Sequence, residues 1–436
     1  MAKLFGTDGV RGVAGEFLDA GLALALGRAA ARITERPRPR VLIVRDTRES
    51  GAMLASAFAA GVAEAGGDAW LGGVLPTPAA SILARRVGFD LAAVVSASHN
   101  PWADNGIKLF GANGRKLPDE LEAAIEAEVT SGARGATGEA IGRVDRLENA
   151  LSDYLRELER AFDADLTGRK VVLDCANGAT VRAAPLAFRA LGAEVDVIGD
   201  APDGRNINDG VGATSPRALA ERVGSTGAEI GFAFDGDGDR LIAVDATGQV
   251  RDGDELIALA ATHLHAAGRL GGVAVTVMSN FGFHQLMEAK GIDVATTAVG
   301  DRHVSSELER RGWELGGEQS GHLIWTDFAP TGDGIAAALL VLDALGPRGL
   351  ADAIEMQRLP QELRNVRVRD RDALDGAGAV WEAVERESAA LEGRGRVLLR
   401  PSGTEPLVRV MAEAPTAAEC AEVCARLSAL VERELA

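Results

Sequence analysis

The stretch Asp235-Gly236-Asp237-Gly238-Asp239 places three carboxylates at i, i+2 and i+4, separated only by glycine. Glycine admits the dihedrals needed to fold such a stretch around one point. Three anionic oxygens suit a hard cation, Mg²⁺ ahead of Ca²⁺ or Zn²⁺. An EF-hand loop is excluded, because its sixth and twelfth positions fall on Arg240 and Ala246. An acidic surface turn is the weaker reading, since three crowded carboxylates repel one another without a cation.

A second stretch, Ser96-Ala97-Ser98-His99-Asn100-Pro101, sets a hydroxyl beside an imidazole. It follows the apolar run Leu91–Val95, and open α/β sheets place ligands at the carboxyl ends of their strands. A Ser/Asn turn closed by Pro101 is the plain alternative. Downstream, Asp104-Asn105-Gly106-Ile107-Lys108 reads as a turn that returns Lys108, one of only five lysines, toward the serine.

A third stretch, Arg400-Pro401-Ser402-Gly403-Thr404-Glu405-Pro406 with Arg409, joins a strand to a turn whose amides and hydroxyls suit an anion. The flanking arginines add bidentate donors for a phosphate. No Walker loop occurs. In a fourth, Gly316-Gly317-Glu318-Gln319-Ser320-Gly321-His322, residues 318, 320 and 322 share a face if the chain is extended. Acceptor, hydroxyl and imidazole suit a polyhydroxylated ligand and proton transfer. Gly300-Asp301-Arg302 and Thr331-Gly332-Asp333-Gly334 lie nearby, and the latter starts a helix over 335–345.

Elements of one recurring plan must hold these loops. The apolar strands Val41–Val44, Leu91–Val95, Val171–Asp174, Glu229–Phe234 and Val273–Met278 alternate with helical patterns over 51–65, 179–191 and 281–290. The tail differs. Strands Val366–Val368, Val397–Leu399 and Val408–Met411 with helices over 379–391 and 416–435 predict a small α+β domain with an antiparallel sheet. The expected fold class is α/β: three similar mixed α/β domains plus a smaller C-terminal α+β domain around a central cleft. Boundaries near Leu151, Asp254 and Glu362 divide the chain into 1–150, 151–253, 254–362 and 363–436.

With 46 basic and 64 acidic residues among 436, the net charge is −18. So acidic a chain is a poor partner for nucleic acid or an anionic membrane, and an anionic substrate needs locally concentrated positive charge. Three cysteines, Cys175, Cys420 and Cys424, argue against a disulfide framework and fit a reducing, cytoplasmic setting. The N-terminus has no apolar signal segment, and no apolar run approaches the ~20 residues of a membrane span.

Taken together, Phe5–Gly12, Ser96–Pro101 with Asn105–Lys108, Asp235–Arg240, Gly317–His322 and Arg400–Pro406 resemble, in order and from Phe5 to Arg409, the α-D-phosphohexomutases. The opening block and Gln319 are most similar to the branch acting on glucosamine phosphates. The resemblance implies an isomerase that moves a phosphoryl group through a phosphoserine and a bisphosphorylated sugar. Ser98 is then the phosphoserine, and Asp235, Asp237 and Asp239 hold one Mg²⁺ together with a phosphoryl oxygen on Ser98. His99, Arg11, Lys108 and His322 are implied in charge stabilisation and proton transfer. Arg240, Glu318 and Ser320 are implied in substrate binding, and Arg400, Ser402, Gly403, Thr404 and Arg409 in holding the non-reacting phosphate. The partners implied are a hexosamine phosphate and its bisphosphate, with a homodimer compatible. Val211 and Ser215 depart from the Cys and His that relatives tend to carry, which bears only on the loop over 206–215. Rival readings are a phosphomannomutase or phosphoglucomutase, a Mg²⁺-dependent sugar phosphatase, and a silent sugar-phosphate binding protein.

Overall fold

The computed structural model describes residues 3–6, 8–131, 135–402 and 405–435. The chain forms two compact units, one of Met1–Met278 with Ile292–Ile354 and one of Ser279–Gly291 with Glu355–Ala436.

The larger unit carries three sheets. The first comprises β1 (Val10–Val13), β2 (Arg40–Arg45), β3 (Asp68–Val74), β4 (Leu91–Val95), β5 (Asp104–Gly111) and β6 (Val144–Arg146), in the order β1-β5-β4-β2-β3-β6. β4 is buried at every residue, as its unbroken apolar run requires. It runs parallel to β2 and antiparallel to β5. Asp104–Lys108 is therefore a strand and not the turn expected from its Asp-Asn-Gly composition. Asn105, Gly106 and Lys108 are buried there: Lys108 faces the carboxylate of Asp237, and the Asn105 amide donates to Ser50 Oγ and accepts from the Gly106 amide.

The second sheet comprises β7 (Lys170–Asp174), β8 (Glu194–Ile198), β9 (Ile230–Phe234), β10 (Leu241–Asp245) and β11 (Val250–Arg251), in the order β11-β10-β9-β7-β8. The third comprises β12 (Val273–Thr276), β13 (Val294–Thr297), β14 (Leu315–Gly317) and β15 (Leu323–Trp325), in the order β13-β12-β14-β15. Helix Gly253–Ala266 begins with a capping box between Asp252 and Glu255. Helix Gly334–Leu345 begins at Asp333, whose side chain accepts from the amides of Ile335 and Ala336, so the Thr331–Gly334 stretch does start a helix.

In the smaller unit, β16 (Gln361–Arg367), β17 (Arg396–Pro401) and β18 (Leu407–Glu413) form an antiparallel sheet in the order β16-β18-β17. Helices Gly378–Ala390 and Ala417–Leu435 pack on it. Cys420 and Cys424 lie buried and unpaired in that core, as small apolar side chains do. Helix Phe281–Lys290, which the sequence attaches to β12, belongs to this unit. The buried Glu413 carboxylate accepts from the Phe281 amide at 2.8 Å and pairs with Arg396 at 2.8 Å. No helix among the described residues is long and apolar enough to cross a membrane.

Candidate active site

Three loops of the larger unit meet at one place. The first follows β4 and carries Ser98, whose φ of 53° puts it in the left-handed region. That conformation costs a residue with a Cβ roughly 1–2 kcal/mol. Ser98 Oγ donates to Asp235 Oδ2 at 2.5 Å and lies 3.2 Å from His99 Nδ1.

The second loop follows β9. Asp235, Asp237 and Asp239 are all buried, and one oxygen of each lies within 4.8 Å of the others. The glycines between them are required by space. A Cβ on Gly236 would stand 2.6 Å from the Ser98 carbonyl oxygen, and Gly238 has a φ of +73° with Thr180 Cγ2 only 2.5 Å from an added Cβ. Asp237 Oδ2 accepts from Lys108 Nζ at 2.8 Å and from Thr77 Oγ1 at 2.5 Å. The Oδ1 atoms of Asp237 and Asp239 are buried without a hydrogen-bond partner. Burial, then Asp239 and Asp237, push the Asp235 carboxyl well above the usual range. Two orphaned carboxylate oxygens and a carboxyl forced toward its neutral form are what a cation would relieve, so this donor set fits a divalent metal ion.

The third loop joins β14 to β15. Glu318 to His322 is a tight turn, with the Gly321 amide bonded to the Glu318 carbonyl, and not the extended segment expected from the alternation. The turn sends Glu318 and His322 inward and leaves Ser320 exposed. Glu318 Oε1 accepts from the Gly300 amide at 3.0 Å.

Charged groups tie the loops together. Lys108 Nζ lies 2.8 Å from Asp237, 3.0 Å from Asp8 and 3.6 Å from Asp239. Burial opposes its charge, but these carboxylates raise its pKa well above the ordinary lysine value. It therefore serves the carboxylates and does not turn back on the serine as expected. Asp8 also pairs with Arg11 and, at 2.5 Å, with Lys116. Lys116 reaches Asp301 at 2.5 Å, Asp301 lies 3.6 Å from His322 Nε2, and His322 Nδ1 lies 3.7 Å from Asp239. Against burial, Asp239 and Asp301 raise the proton affinity of His322. The Gly332 amide nevertheless donates to Nε2 at 3.1 Å, which only the neutral ring accepts, so the proton sits on Nδ1 facing Asp239. A cavity of about 570 Å³ opens on this assembly, lined by Arg11, Ser98, His99, Asp239, Arg240, Glu318 and His322 with Asp8 and residues 300–303. Lys3, Arg11, Arg240 and Arg302 line it together with the carboxylates of Asp8, Asp119, Asp239, Asp301 and Glu318, so cations and anions are interleaved on its wall.

In the smaller unit, Arg400 and Arg409 are direct cross-strand partners. Among the described residues neither has a carboxylate partner, and Arg409 Nε is buried without a hydrogen bond. Burial, then Arg409, lowers the pKa of Arg400. Like charges set opposite each other on a sheet are unfavourable unless an anion bridges them. Ser402 is buried beside them, with its amide bonded to the Leu407 carbonyl. Gly403 and Thr404 lie outside the described residues.

Models of the phosphoglucomutase/phosphomannomutase family match four stretches: alpha/beta/alpha domain I at residues 2–135, domain II at 152–248, domain III at 252–361 and the C-terminal domain at 363–430. The chain belongs to this family. It is 51% identical to a phosphoglucosamine mutase of Desulforudis audaxviator over 95% of this chain and 94% of the relative. It is 48% identical to that of Pelotomaculum thermopropionicum over 99% of each. A solved phosphoglucomutase/phosphomannomutase family protein from Burkholderia thailandensis shares the fold at a TM-score of 0.84, 24% identity and coverage of 99% and 97%. The N-acetylphosphoglucosamine mutase of Aspergillus fumigatus, solved with GlcNAc-6P and magnesium, does so at 0.65, 18%, 99% and 96%. The resemblance read from the motifs is borne out, as are the three α/β domains and the α+β tail.

Several members of this phosphohexomutase site escaped the sequence reading. Thr77 sits in an apolar stretch between two prolines, and Asn208 lay in the divergent 206–215 loop without a role. Asp8 and Lys116 had a signal, the first inside the opening block and the second as a scarce lysine. Asp301 lay in a quoted motif without a role.

Proposed function

We propose that the chain is a phosphoglucosamine mutase, interconverting glucosamine 6-phosphate and glucosamine 1-phosphate through phosphoserine 98 and a bisphosphorylated sugar. One observation carries this reading. Ser98 Oγ, 2.5 Å from a buried carboxylate of the acidic triad, faces a cavity lined by Arg11, Arg240, Glu318 and His322. Relatives of that name, at 51% and 48% identity over nearly their whole length, support glucosamine over mannose or glucose phosphates. A phosphatase would use the triad but leaves the Arg400–Arg409 pair without a purpose. The same reading sets the enzyme in the cytoplasm, supplying amino-sugar nucleotide and cell-wall precursor synthesis.

Asp235, Asp237, Asp239 and an oxygen of the Ser98 phosphoryl group would hold one Mg²⁺. When bound, the ion neutralises charge on the transferring phosphoryl group. In the first half-reaction the P–Oγ bond of phosphoserine breaks and a P–O bond to the free sugar hydroxyl forms. The hydroxyl proton passes to a base, and Ser98 Oγ takes up a proton. His99 is placed for the second of these movements: as imidazolium it gives its proton to the departing Oγ, and as the neutral ring it takes that proton back when Oγ attacks the bisphosphate. Burial, then Arg240 and Arg11, lower its pKa, so beside the free hydroxyl the ring is neutral, with Nδ1 3.2 Å from Ser98 Oγ. His322 is held through Nε2 by the Gly332 amide and stands with Nδ1 3.7 Å from Asp239, where it acts on the charge of that carboxylate. Lys108 and Arg11 offset developing charge. Glu318 lines the cavity and binds sugar hydroxyls, whereas Ser320 is exposed and stands outside the lining. The bisphosphate then reverses in the site, and its other phosphate returns to Ser98.

A coupled assay with glucosamine 6-phosphate tests the proposal, with turnover expected to exceed that on glucose and mannose phosphates. Preference for either of the latter, or phosphate release without isomer formation, would overturn it. His99→Asn is expected to lower kcat on the order of 10²-fold with little change in KM, as loss of a general acid–base group does. Steady-state kinetics at neutral pH check this. Arg400→Ala is expected to lower kcat/KM by about 10- to 150-fold, since a charge-assisted contact is worth roughly 1.5–3 kcal/mol. It should also release bisphosphate into the medium, where it can be assayed.

A further inference from the structure

Arg48 takes no part in the chemistry above, yet its guanidinium is fully buried and fully engaged. Nε donates to Asp46 Oδ2 at 2.8 Å. Nη2 donates to the carbonyls of Ser98 and Asn100, each at 2.8 Å. Nη1 donates to the carbonyls of Asp104, at 3.0 Å, and Pro101. One carboxylate balances its charge, so neutralisation alone does not explain the arrangement. All four carbonyls belong to the loop from the end of β4 to the start of β5.

The amide side of Ser98 is held by the same pair. Ser98 N–H donates to Ser96 Oγ at 3.0 Å, and that hydroxyl donates to Asp46 Oδ2 at 2.5 Å. The peptide groups before and after Ser98 are thus both fixed to the Asp46–Arg48 pair, which sets φ, ψ and the direction of the Cα–Cβ bond. A left-handed residue with a side chain persists only where its surroundings over-determine it. Asn208, in the second sheet's domain, adds a further donor to the Ser98 and Asn100 carbonyls, at 3.0 and 3.4 Å.

We infer that Arg48 is a positioning residue for the phosphoryl transfer. Through the carbonyls of residues 98, 100, 101 and 104 it holds Ser98 in the left-handed turn that aims Oγ at Asp235 and the cavity. The planar fork is essential, because a lysine at this position presents one ammonium and cannot span four acceptors. The inference rests on Ser98 being the phosphoryl carrier.

The test uses the full-length protein as wild type, Ser98→Ala, Arg48→Lys, Arg48→Ala and Asn208→Ala. Turnover is measured well below the melting temperature and divided by the folded fraction from circular dichroism. Phosphate on Ser98 is followed by mass spectrometry during a single turnover. Arg48→Lys is expected to lose about 100-fold in kcat per folded molecule, the effect of small misplacement of a reacting atom. KM should hold, because the sugar contacts lie on other loops, and discharge of phosphoserine should slow by the same factor. Guanidinium below denaturing concentration should restore part of the activity of Arg48→Ala. A purely structural role predicts a lower melting temperature with unchanged kcat per folded molecule, and that result would overturn the inference. If neither Arg48 variant folds, Asn208→Ala decides. A fall in kcat at constant KM supports the positioning role, and unchanged kcat defeats it. A wild type without phosphate on Ser98, with Ser98→Ala still active, would remove the functional reading itself and this inference with it.

Discussion

Ser98→Ala is expected to reduce turnover of glucosamine 6-phosphate by about 10³-fold or more, the usual result of removing a nucleophile. The geometry makes the prediction selective. Ser98 Oγ is the only atom lost, and its partners are Asp235 and His99. The backbone of the turn is fixed independently, through the carbonyls bound by Arg48 and Asn208. The variant should therefore fold, melt close to wild type and still bind sugar phosphate, because Glu318, Arg240 and Arg11 are untouched. Alanine keeps the left-handed strain and removes one buried hydrogen bond, worth about 1 kcal/mol net. Calorimetric titration should show retained binding while the coupled assay shows no flux. Intact-mass measurement should show loss of the phosphate present on wild type. Near-wild-type turnover would exclude the phosphoserine route.

The contrast between this loop and the strand after it explains how much of the protein was legible in its sequence. Leu91–Val95 is an unbroken apolar run between polar segments, and it is a fully buried strand with those bounds. Phe281–Lys290 likewise has the bounds read from the sequence, with the Asn280 side chain capping its start and Gly291, in the left-handed region, ending it. β5 was missed because polar residues occupy its interior positions: Lys108 serves the site, and Asn105 is buried with its amide on Ser50 Oγ. Composition alone reads Asp-Asn-Gly as a turn. The site was legible wherever a motif is local, as in Asp235–Asp239. It was not legible where function is assembled across sheets. Lys116 meets Asp301 across 185 positions of sequence, and Thr77 meets Asp237 across 160. Arg48 lies in a polar stretch after β2 that looks like any loop, and only its buried position marks it. The turn at Glu318–His322 shows the converse error, in which alternation was taken for extension when glycine at 321, with a φ of +94°, reverses the chain.

Asp237→Asn is expected to lower activity by about 10³-fold at limiting Mg²⁺ while leaving the fold intact, an effect comparable to removal of a catalytic electrostatic group. Asp237 is the member of the triad that links the candidate metal site to Lys108 and Thr77 through Oδ2, whereas its buried Oδ1 has no partner. Asparagine has the same shape. Its amide oxygen still accepts from Lys108 or Thr77, but the anionic oxygen available to a cation is gone. In wild type, chelator should abolish turnover, Mg²⁺ should restore it, and saturating Mg²⁺ should raise the melting temperature. A ligand at a hundredfold excess over its Kd stabilises the folded state by about 2.7 kcal/mol. In Asp237→Asn the thermal shift on adding Mg²⁺ should shrink, and the Mg²⁺ concentration for half-maximal activity should rise, with excess Mg²⁺ recovering part of the loss. Without metal the variant should melt below wild type, because buried Lys108 loses its nearest counter-charge and keeps only Asp8 at 3.0 Å and Asp239 at 3.6 Å. The shrunken Mg²⁺-dependent shift, and not the metal-free melting temperature, therefore separates a metal ligand from a structural aspartate. Full activity of wild type in excess chelator, or an unchanged Mg²⁺ shift in the variant, would rule out the triad as the metal site.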